Sequence, residues 1–323
     1  MTVLVTGANG FVARALIARL RADGVAVRGT ARRLVGPSPP WPVVAIGDMS
    51  GSTDWRPGLD GVDAVIHCAA RVHMLRDDAA DPLAAFRRVN VDATVALARQ
   101  AVTAGVRRLI FVSSIGVNGA ETFDVPFRAD DPPAPHSPYA VSKREAEAAL
   151  RHIEASLGLP VVIVRPPLVY GPDAPGNFAT LIRAVDRGLP LPLAAVRNRR
   201  SFVAVDNLVD VLAVALAHPA APGQTWLVSD GDDLSTPDLI RRIARALGRH
   251  ARLWPIPPAL LRRSLTLAGR SDLGQSLCGS LLLDIGATRR GLGWQPLVGV
   301  DQALVDTARH YLAAQRREAG ASG

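Results

Sequence analysis

Along the first half of the chain, short apolar runs alternate with longer stretches in which apolar residues recur every three or four positions. The runs fall at residues 2–6, 25–30, 43–46, 63–68, 107–113 and 160–166. They are near-continuous in Val, Ile, Leu and Ala, the pattern of strands buried on both faces of a parallel sheet. Helical periodicity appears at 10–22, 82–104 and 138–157. Strands and helices in this order build βαβ units, so the expected class is α/β, a doubly wound parallel sheet covered by helices. Ligands of such sheets bind beyond the carboxyl ends of the strands.

After Pro166 the texture changes, with Pro, Gly and Arg punctuating 166–200. Later elements are a helix near 207–217, a strand near 225–229 and helices near 236–248 and 300–314. A smaller second lobe that returns to the first is expected, and no internal repeat is visible. At 323 residues and 48% hydrophobic content, one large unit or two associated domains can bury a sizeable core. No apolar run reaches the ~18–20 uncharged residues of a membrane span. Met1 leads straight into a strand rather than a signal peptide, so a cytoplasmic protein without membrane insertion is expected. Cys68 and Cys278 form neither a disulfide framework nor a metal motif, which suits a reducing compartment. The net charge of +8 raises nucleic acid as a partner, but the excess lies without a basic tract or interleaved aromatics. No nucleic-acid partner is expected. Part of the excess is suited to small molecules that carry pyrophosphate.

The chemistry begins at the first strand end. Gly7-Ala8-Asn9-Gly10-Phe11-Val12-Ala13 follows that strand directly and opens the first helix. Small residues let the backbone approach a pyrophosphate, and the helix N-terminus offers N–H donors and the positive end of its dipole. This placement marks a dinucleotide site. At the end of the second strand an acid would bond the ribose 2′-hydroxyl of NAD and repel a 2′-phosphate. The chain has Arg28-Gly29-Thr30-Ala31-Arg32-Arg33 there, with no acid. Arg32 or Arg33 can grip a 2′-phosphate through charge-assisted bonds, so NADP(H) is favoured over NAD(H).

Tyr139 and Lys143 lie four apart on a helical pattern and share one face. A phenol with an ordinary pKa near ~10 is a poor catalyst at neutral pH, and a lysine one turn away is expected to lower it. Ser114 ends the fifth strand, where its hydroxyl can hold a reacting oxygen near Tyr139. Ser114, Tyr139 and Lys143 are therefore the candidate catalytic set. His136, just before the Tyr helix, is read as a loop residue.

Together with Val65-Ile-His-Cys-Ala-Ala70, Asn90-Val-Asp-Ala-Thr94, Arg165-Pro-Pro-Leu-Val-Tyr-Gly-Pro172 and Leu292-Gly-Trp-Gln-Pro296, these motifs resemble the extended short-chain dehydrogenases. That group is the NAD-dependent epimerase/dehydratase family, which includes UDP-glucose 4-epimerase. The resemblance covers nearly the whole chain. It implies a Rossmann-type NAD(P)-binding domain over 1–166, with the chain returning around 202–229. It also implies a smaller C-terminal lobe over 167–323 that binds a nucleotide-diphosphate sugar, and a homodimer built from helices of the first lobe. By the same resemblance Asp48 and Met49 contact adenine, Ala69 and Ala70 line the dinucleotide channel, and Asn90 orders the active site. Pro166 joins the cofactor contacts. Asn177 and Arg200 hold the substrate diphosphate.

The departures narrow the activity. Ile115-Gly116 stand where the 4,6-dehydratases carry an Asp-Glu pair, and neither has a proton to give. Leu168 replaces an Asn of the galactose-type epimerases, and Ala204 and Asn207 replace a His and an Asp. The stretches Ala70-Arg-Val-His-Met74, Gly176-Asn-Phe178, Val196-Arg-Asn-Arg-Arg-Ser201 and Val228-Ser-Asp-Gly-Asp232 resemble bacterial reductases of UDP-4-keto-6-deoxy-N-acetylhexosamines. These make UDP-N-acetylquinovosamine-type precursors of surface polysaccharide. The expected activity is an NADP(H)-dependent reduction of the C4 ketone. The alternatives are a UDP-hexose 4-epimerase with tightly held NAD and, more remotely, a non-catalytic NAD(P)-sensing protein.

Overall fold

The computed structural model describes residues 1–34, 39–72 and 81–321. Among the described residues nine strands form two sheets: β1 Thr2–Thr6, β2 Ala26–Ala31, β3 Val43–Ala45, β4 Ala64–His67, β5 Arg108–Val112, β6 Val161–Arg165, β7 Leu168–Tyr170, β8 Phe202–Ala204 and β9 Thr225–Leu227. The main sheet is parallel in the order β3-β2-β1-β4-β5-β6-β9, and β7 pairs with β8 in a small parallel sheet. The order reverses at β1, so the crevice between the carboxyl ends of β1 and β4 is where a Rossmann-type sheet binds its ligand.

Strand periodicity of two splits each buried run between two cores. Val3 and Val5 enter one cluster and Leu4 the other. Ile110, Val162 and Val164 face the first, and Leu109, Phe111, Val161 and Ile163 the second. The helices are α1 Phe11–Ala22, α2 Arg56–Leu59, α3 Pro82–Arg87, α4 Ala93–Thr103, α5 Pro138–Leu157, α6 Gly176–Asp186, α7 Val205–Ala217, α8 Thr236–Ala246, α9 Pro258–Leu267, α10 Ser271–Cys278, α11 Gly286–Leu292 and α12 Val300–Ala321. α1 and α7 cover the first face, and α2, α4 and α5 the second. A third cluster, including Phe178 and Ile182 of α6, Ile240 and Ile243 of α8 and Leu304 of α12, is the core of the later segments.

Two features differ from expectation. The helix expected over 82–104 is interrupted by a π-helical turn at Arg88–Asp92, centred on Asn90. Such single turns frequently sit at functional sites, because the extra residue re-aims a side chain. The segment after Pro166 holds more structure than its Pro and Gly content predicted, including α6, the β7–β8 pair, and the α9–α10 hairpin. His73 and Met74, part of the reductase-like pattern, lie outside the described residues. Among the described residues no helix is long and apolar enough to cross a membrane.

Candidate active site

The glycine loop is fastened on both sides. Gly7 has φ +70°, a left-handed backbone that suits glycine, and a Cβ there would sit 2.9 Å from Ala69 Cα. Only a glycine lets the loop lie directly against the end of β4. Ala8 N–H donates to Thr30 O at 2.8 Å, and Asn9 Nδ2 donates to Arg33 O at 3.3 Å. Gly10 caps α1 without a side-chain bond, and no acid stands in the first helical turn. The first-turn N–H groups are thus left for an anion. Phe11 and Val12 are half-buried in that turn, and Phe11 packs on both the first and the third cores. This cradle fits a dinucleotide pyrophosphate.

Arg32, beyond β2, lies 3.8 Å from Asp48, and both side chains are largely exposed. The residues assigned by sequence to a 2′-phosphate and to adenine are therefore neighbours on one rim. Met49 beside them is half-buried against the second core.

The β4 end is ordered by a chain of buried bonds that the sequence did not announce. Ala69 N–H donates to Thr6 Oγ1 at 3.1 Å, Thr6 Oγ1 lies 2.7 Å from His67 Nδ1, and His67 Nε2 lies 3.0 Å from Thr94 Oγ1. Thr94 spends its proton on Asn90 O at 2.8 Å. It must therefore accept from His67, which fixes the proton on Nε2 and makes Nδ1 the acceptor for Thr6. Burial, aided by the Lys143 charge, pushes the His67 pKa down from 6.5 to about 3. A neutral imidazole thus links the cofactor loop to the π-turn. Because the folded-state pKa is depressed, this contribution to stability is complete above pH 6.5 and fades as pH falls toward 3. We expect the melting temperature to decline between pH 6.5 and ~5, before most carboxylates titrate, and His67→Gln to flatten that slope. Calorimetry across this window checks it; parallel curves would remove His67 as the cause.

Asn90 is 1% exposed, and its amide accepts from Arg71 N–H at 2.8 Å and donates to Arg71 O and Ser142 Oγ. These bonds use up both amide protons, so Asn90 ties the loop after β4 to the helix carrying Tyr139. This arrangement suits the ordering role expected of Asn90 from the sequence. Ala69 is buried and Ala70 half-buried beside it.

α5 starts where its sequence dictates. Ser137 accepts from Ala140 N–H, and Pro138 occupies the first helical position. Tyr139 packs edge-on to Phe86 at 6.0 Å between centroids. Ser114 opens a short 3-10 turn at Ile115–Val117, accepting from Gly116 N–H at 3.1 Å. Ile115 N–H donates to Pro166 O at 2.9 Å, which brings the ends of β5 and β6 together beside Ser114. A Cβ on Gly116 would lie 3.3 Å from Ala140 Cβ and 3.4 Å from Ser114 Oγ. The serine and the first turn of α5 therefore flank the same point, at which Gly116 places no side chain.

Lys143 is 2% exposed and differs from expectation. Its Nζ donates to Val112 O at 2.8 Å and lies 4.3 Å from the Phe111 ring centroid, against 6.0 Å for the Tyr139 ring. Buried, the ammonium takes the nearest acceptor, and its own pKa is pushed down to about 8 by desolvation. The expected lowering of the Tyr139 pKa is absent here; desolvation pushes it up to about 12.

One helical turn beyond Lys143, Glu147 forms a buried fork with Arg165, at 2.9 Å to Nε and 2.6 Å to Nη2. Ser113 donates to the same carboxylate, and Arg165 reaches on to Asn118 Oδ1 at 2.9 Å. This network binds the ends of β5 and β6 to the helix that carries Tyr139 and Lys143. The i, i+4 spacing from Lys143 was its visible signal.

The proposed substrate residues are less closely gathered. Asn177 is exposed in the first turn of α6. Arg200 is half-buried between Leu234 and Leu281, donating through Nη1 to Gly279 O at 2.9 Å. Desolvation lowers its pKa. Among the described residues no hydrogen bond joins Asn177 to Arg200. His136 is exposed, as its loop reading implied.

The model of the NAD dependent epimerase/dehydratase family matches residues 3–229. A Vibrio cholerae protein named UDP-glucose 4-epimerase is 39% identical over 320 residues, covering 98% of this chain and 97% of that protein. The structure is similar to that of a Thermus thermophilus UDP-glucose 4-epimerase complexed with NAD, with TM-score 0.77, 25% identity, and coverage of 97% of this chain and 100% of the other. It is also similar to MoeE5 in complex with UDP-glucose and NAD, with TM-score 0.77, 25% identity, and coverage of 98% and 100%.

Proposed function

The chain belongs to the NAD-dependent epimerase/dehydratase family, and within it we propose that it reduces the C4 ketone of a UDP-4-keto-6-deoxy-N-acetylhexosamine, preferring NADP(H). The observation that carries hydride chemistry is Ser114 at a strand end meeting the first turn of α5, where Ala140 follows Tyr139, across Gly116, with Lys143 one turn further along that helix. A bound nicotinamide dinucleotide would supply the hydride. Ser114 holds the substrate oxygen by a hydrogen bond, and Tyr139 gives it a proton. A phenol raised to about 12 stays protonated at neutral pH, the form a ketone reduction consumes. Lys143 holds the cofactor side and supplies positive charge; Arg200, with Asn177, takes the diphosphate.

Several features support reduction over the relatives' named activity. Against dehydration, Gly116 offers no acid or base at the point it shares with Ser114. Asn207, where galactose-type epimerases resemble one another in an acid, is fully buried, bonding Asp230 Oδ1 and the main chain at Leu297 and Val298. Leu168 stays exposed on β7. The second reading, a UDP-hexose 4-epimerase, is favoured by the name of the Vibrio cholerae relative.

Cofactor behaviour separates the two. A reductase exchanges its cofactor each cycle, whereas an epimerase keeps it. We expect reversible binding, tighter for NADPH than NADH. Arg32→Ala should remove that preference with the loss of a charge-assisted contact of ~1.5–3 kcal/mol, toward the lower end because Asp48 already stands beside Arg32. Fluorescence titration of both cofactors on wild type and variant measures it. Purification with stoichiometric NAD⁺ that resists dialysis would give the epimerase reading the place of this one.

A further inference from the structure

From Leu239 to Ser271 the chain carries eight arginines and no acid, against a net charge of +8 for the whole protein. No contiguous basic tract marks it, so the concentration becomes evident only where the fold gathers these residues. Several arginines are spent internally: Arg241 on Asp238, Arg242 on Asp232 and Asp301, Arg249 on Asp186, and Arg262 on Glu121. Arg252, Arg263 and Arg270 are exposed and make no ion pair among the described residues.

Arg252, Arg263 and Arg270, three of the four arginines of this stretch without an ion pair among the described residues, accompany an unusual apolar face. α9 is apolar on two sides. Leu261 packs on the third core and Leu265 lies 3.6 Å from where a Cβ on Gly274 of α10 would sit. Leu260 and Leu267, seven apart and thus on one face of the helix, are 61% and 82% exposed. Trp254, just before α9, is 61% exposed, although its backbone is pinned by bonds to Leu191 and Ala194. Leu189 is also exposed, and Arg252 packs over the neighbouring Gly188. Two leucines and a tryptophan with arginines around them form the pattern of a helix that lies in the interface of an anionic bilayer. Leucines of this kind add nothing to phosphate binding, which sets the surface apart from a nucleic-acid footprint. The acids around it are Glu121, held by Arg262, Asp186, held by Arg249, and Asp272, exposed at the start of α10.

We propose that the α9–α10 hairpin is a peripheral docking surface for an anionic lipid membrane, with Trp254, Leu260 and Leu267 entering the interface and Arg252, Arg263 and Arg270 meeting lipid headgroups. The inner side of the hairpin meets the loop after Ser114 through the Arg262–Glu121 ion pair, so docking places the active-site mouth near the membrane.

Co-sedimentation of the full-length protein with vesicles tests this. Vesicles of phosphatidylcholine with phosphatidylglycerol should bind it, and phosphatidylcholine alone should bind it far more weakly, with the difference shrinking as salt rises. Arg252→Glu, Arg263→Glu and Arg270→Glu together should weaken binding to the anionic vesicles by at least ~10-fold. Leu260→Asp with Leu267→Asp should do so at unchanged melting temperature and turnover, since both side chains are exposed and outside the catalytic set. Absence of sedimentation with anionic vesicles overturns the proposal, whether ultracentrifugation then shows the face joining two copies or gel shift shows it binding duplex nucleic acid. Equal binding to neutral and anionic vesicles also overturns it, because the arginines would then play no part.

Discussion

Tyr139→Phe is expected to lower kcat by ~10²–10⁴-fold while leaving dinucleotide affinity unchanged, the range for losing a positioned proton donor. The substitution removes one oxygen. The ring keeps its edge-on contact with Phe86 and its place in the first turn of α5, held by Ser137 and Pro138. Ser142, which donates to Tyr139 O and accepts from Asn90, still fastens that turn to the loop after β4. No folding defect or loss of cofactor site is therefore available to explain a fall in turnover. Steady-state kinetics beside a cofactor titration measures both quantities. Near-normal turnover would take Tyr139 out of the mechanism, and a parallel loss of cofactor affinity would show that its hydroxyl holds the dinucleotide instead.

The legible parts of the protein were those in which local pattern and tertiary role coincide. β1, β4, β5 and β6 could be placed within a residue or two because a strand buried on both faces leaves a continuous apolar run. The glycine loop was legible because Gly7 needs a left-handed backbone and a close approach to Ala69, and glycine meets both needs. Ser114, Tyr139 and Lys143 stood out through spacing and order. Partnership between distant residues left little trace. Thr6, His67 and Thr94 come from β1, β4 and α4, and no local signal announces that one proton order runs through all three. The Lys143 ammonium was expected to serve Tyr139, but a buried ammonium takes whichever acceptor is nearest, and the fold supplies Val112 O at 2.8 Å. α9 and α10 escaped notice because their two-sided apolar pattern matches no single buried face.

Glu147→Gln should be among the most destabilising conservative substitutions in the chain, costing ~3–5 kcal/mol, the range for removing one partner of a buried ion pair. The side chains of Arg165 and Glu147 are 6% and 7% exposed, so water can do little to screen the charge left behind. Glutamine keeps the size of the side chain, but its amide nitrogen would face a guanidinium nitrogen. Arg165 would keep Asn118 Oδ1, Ala129 O and one neutral amide oxygen in place of the two carboxylate oxygens. A total stability of ~5–15 kcal/mol makes such a loss visible as a large drop in melting temperature. The substitution should also reach the active site. The Glu147 carboxylate raises the Lys143 pKa against the desolvation that holds it near about 8. Without the carboxylate that pKa falls further, and Lys143 loses its proton at lower pH. Any limb of the kcat profile that depends on the protonated lysine should then move to lower pH, a shift that simple loss of folded protein cannot produce. A double substitution, Glu147→Leu with Arg165→Met, removes both charges and should recover much of the lost stability, since a buried pair replaced by apolar groups of similar volume is often neutral. Thermal melts of the three proteins and pH–rate profiles of wild type and Glu147→Gln decide the matter. If the double variant is no more stable than the single one, stranded charge is not the cause. If the single variant melts like wild type, the fork between β6 and α5 does not hold that helix in place.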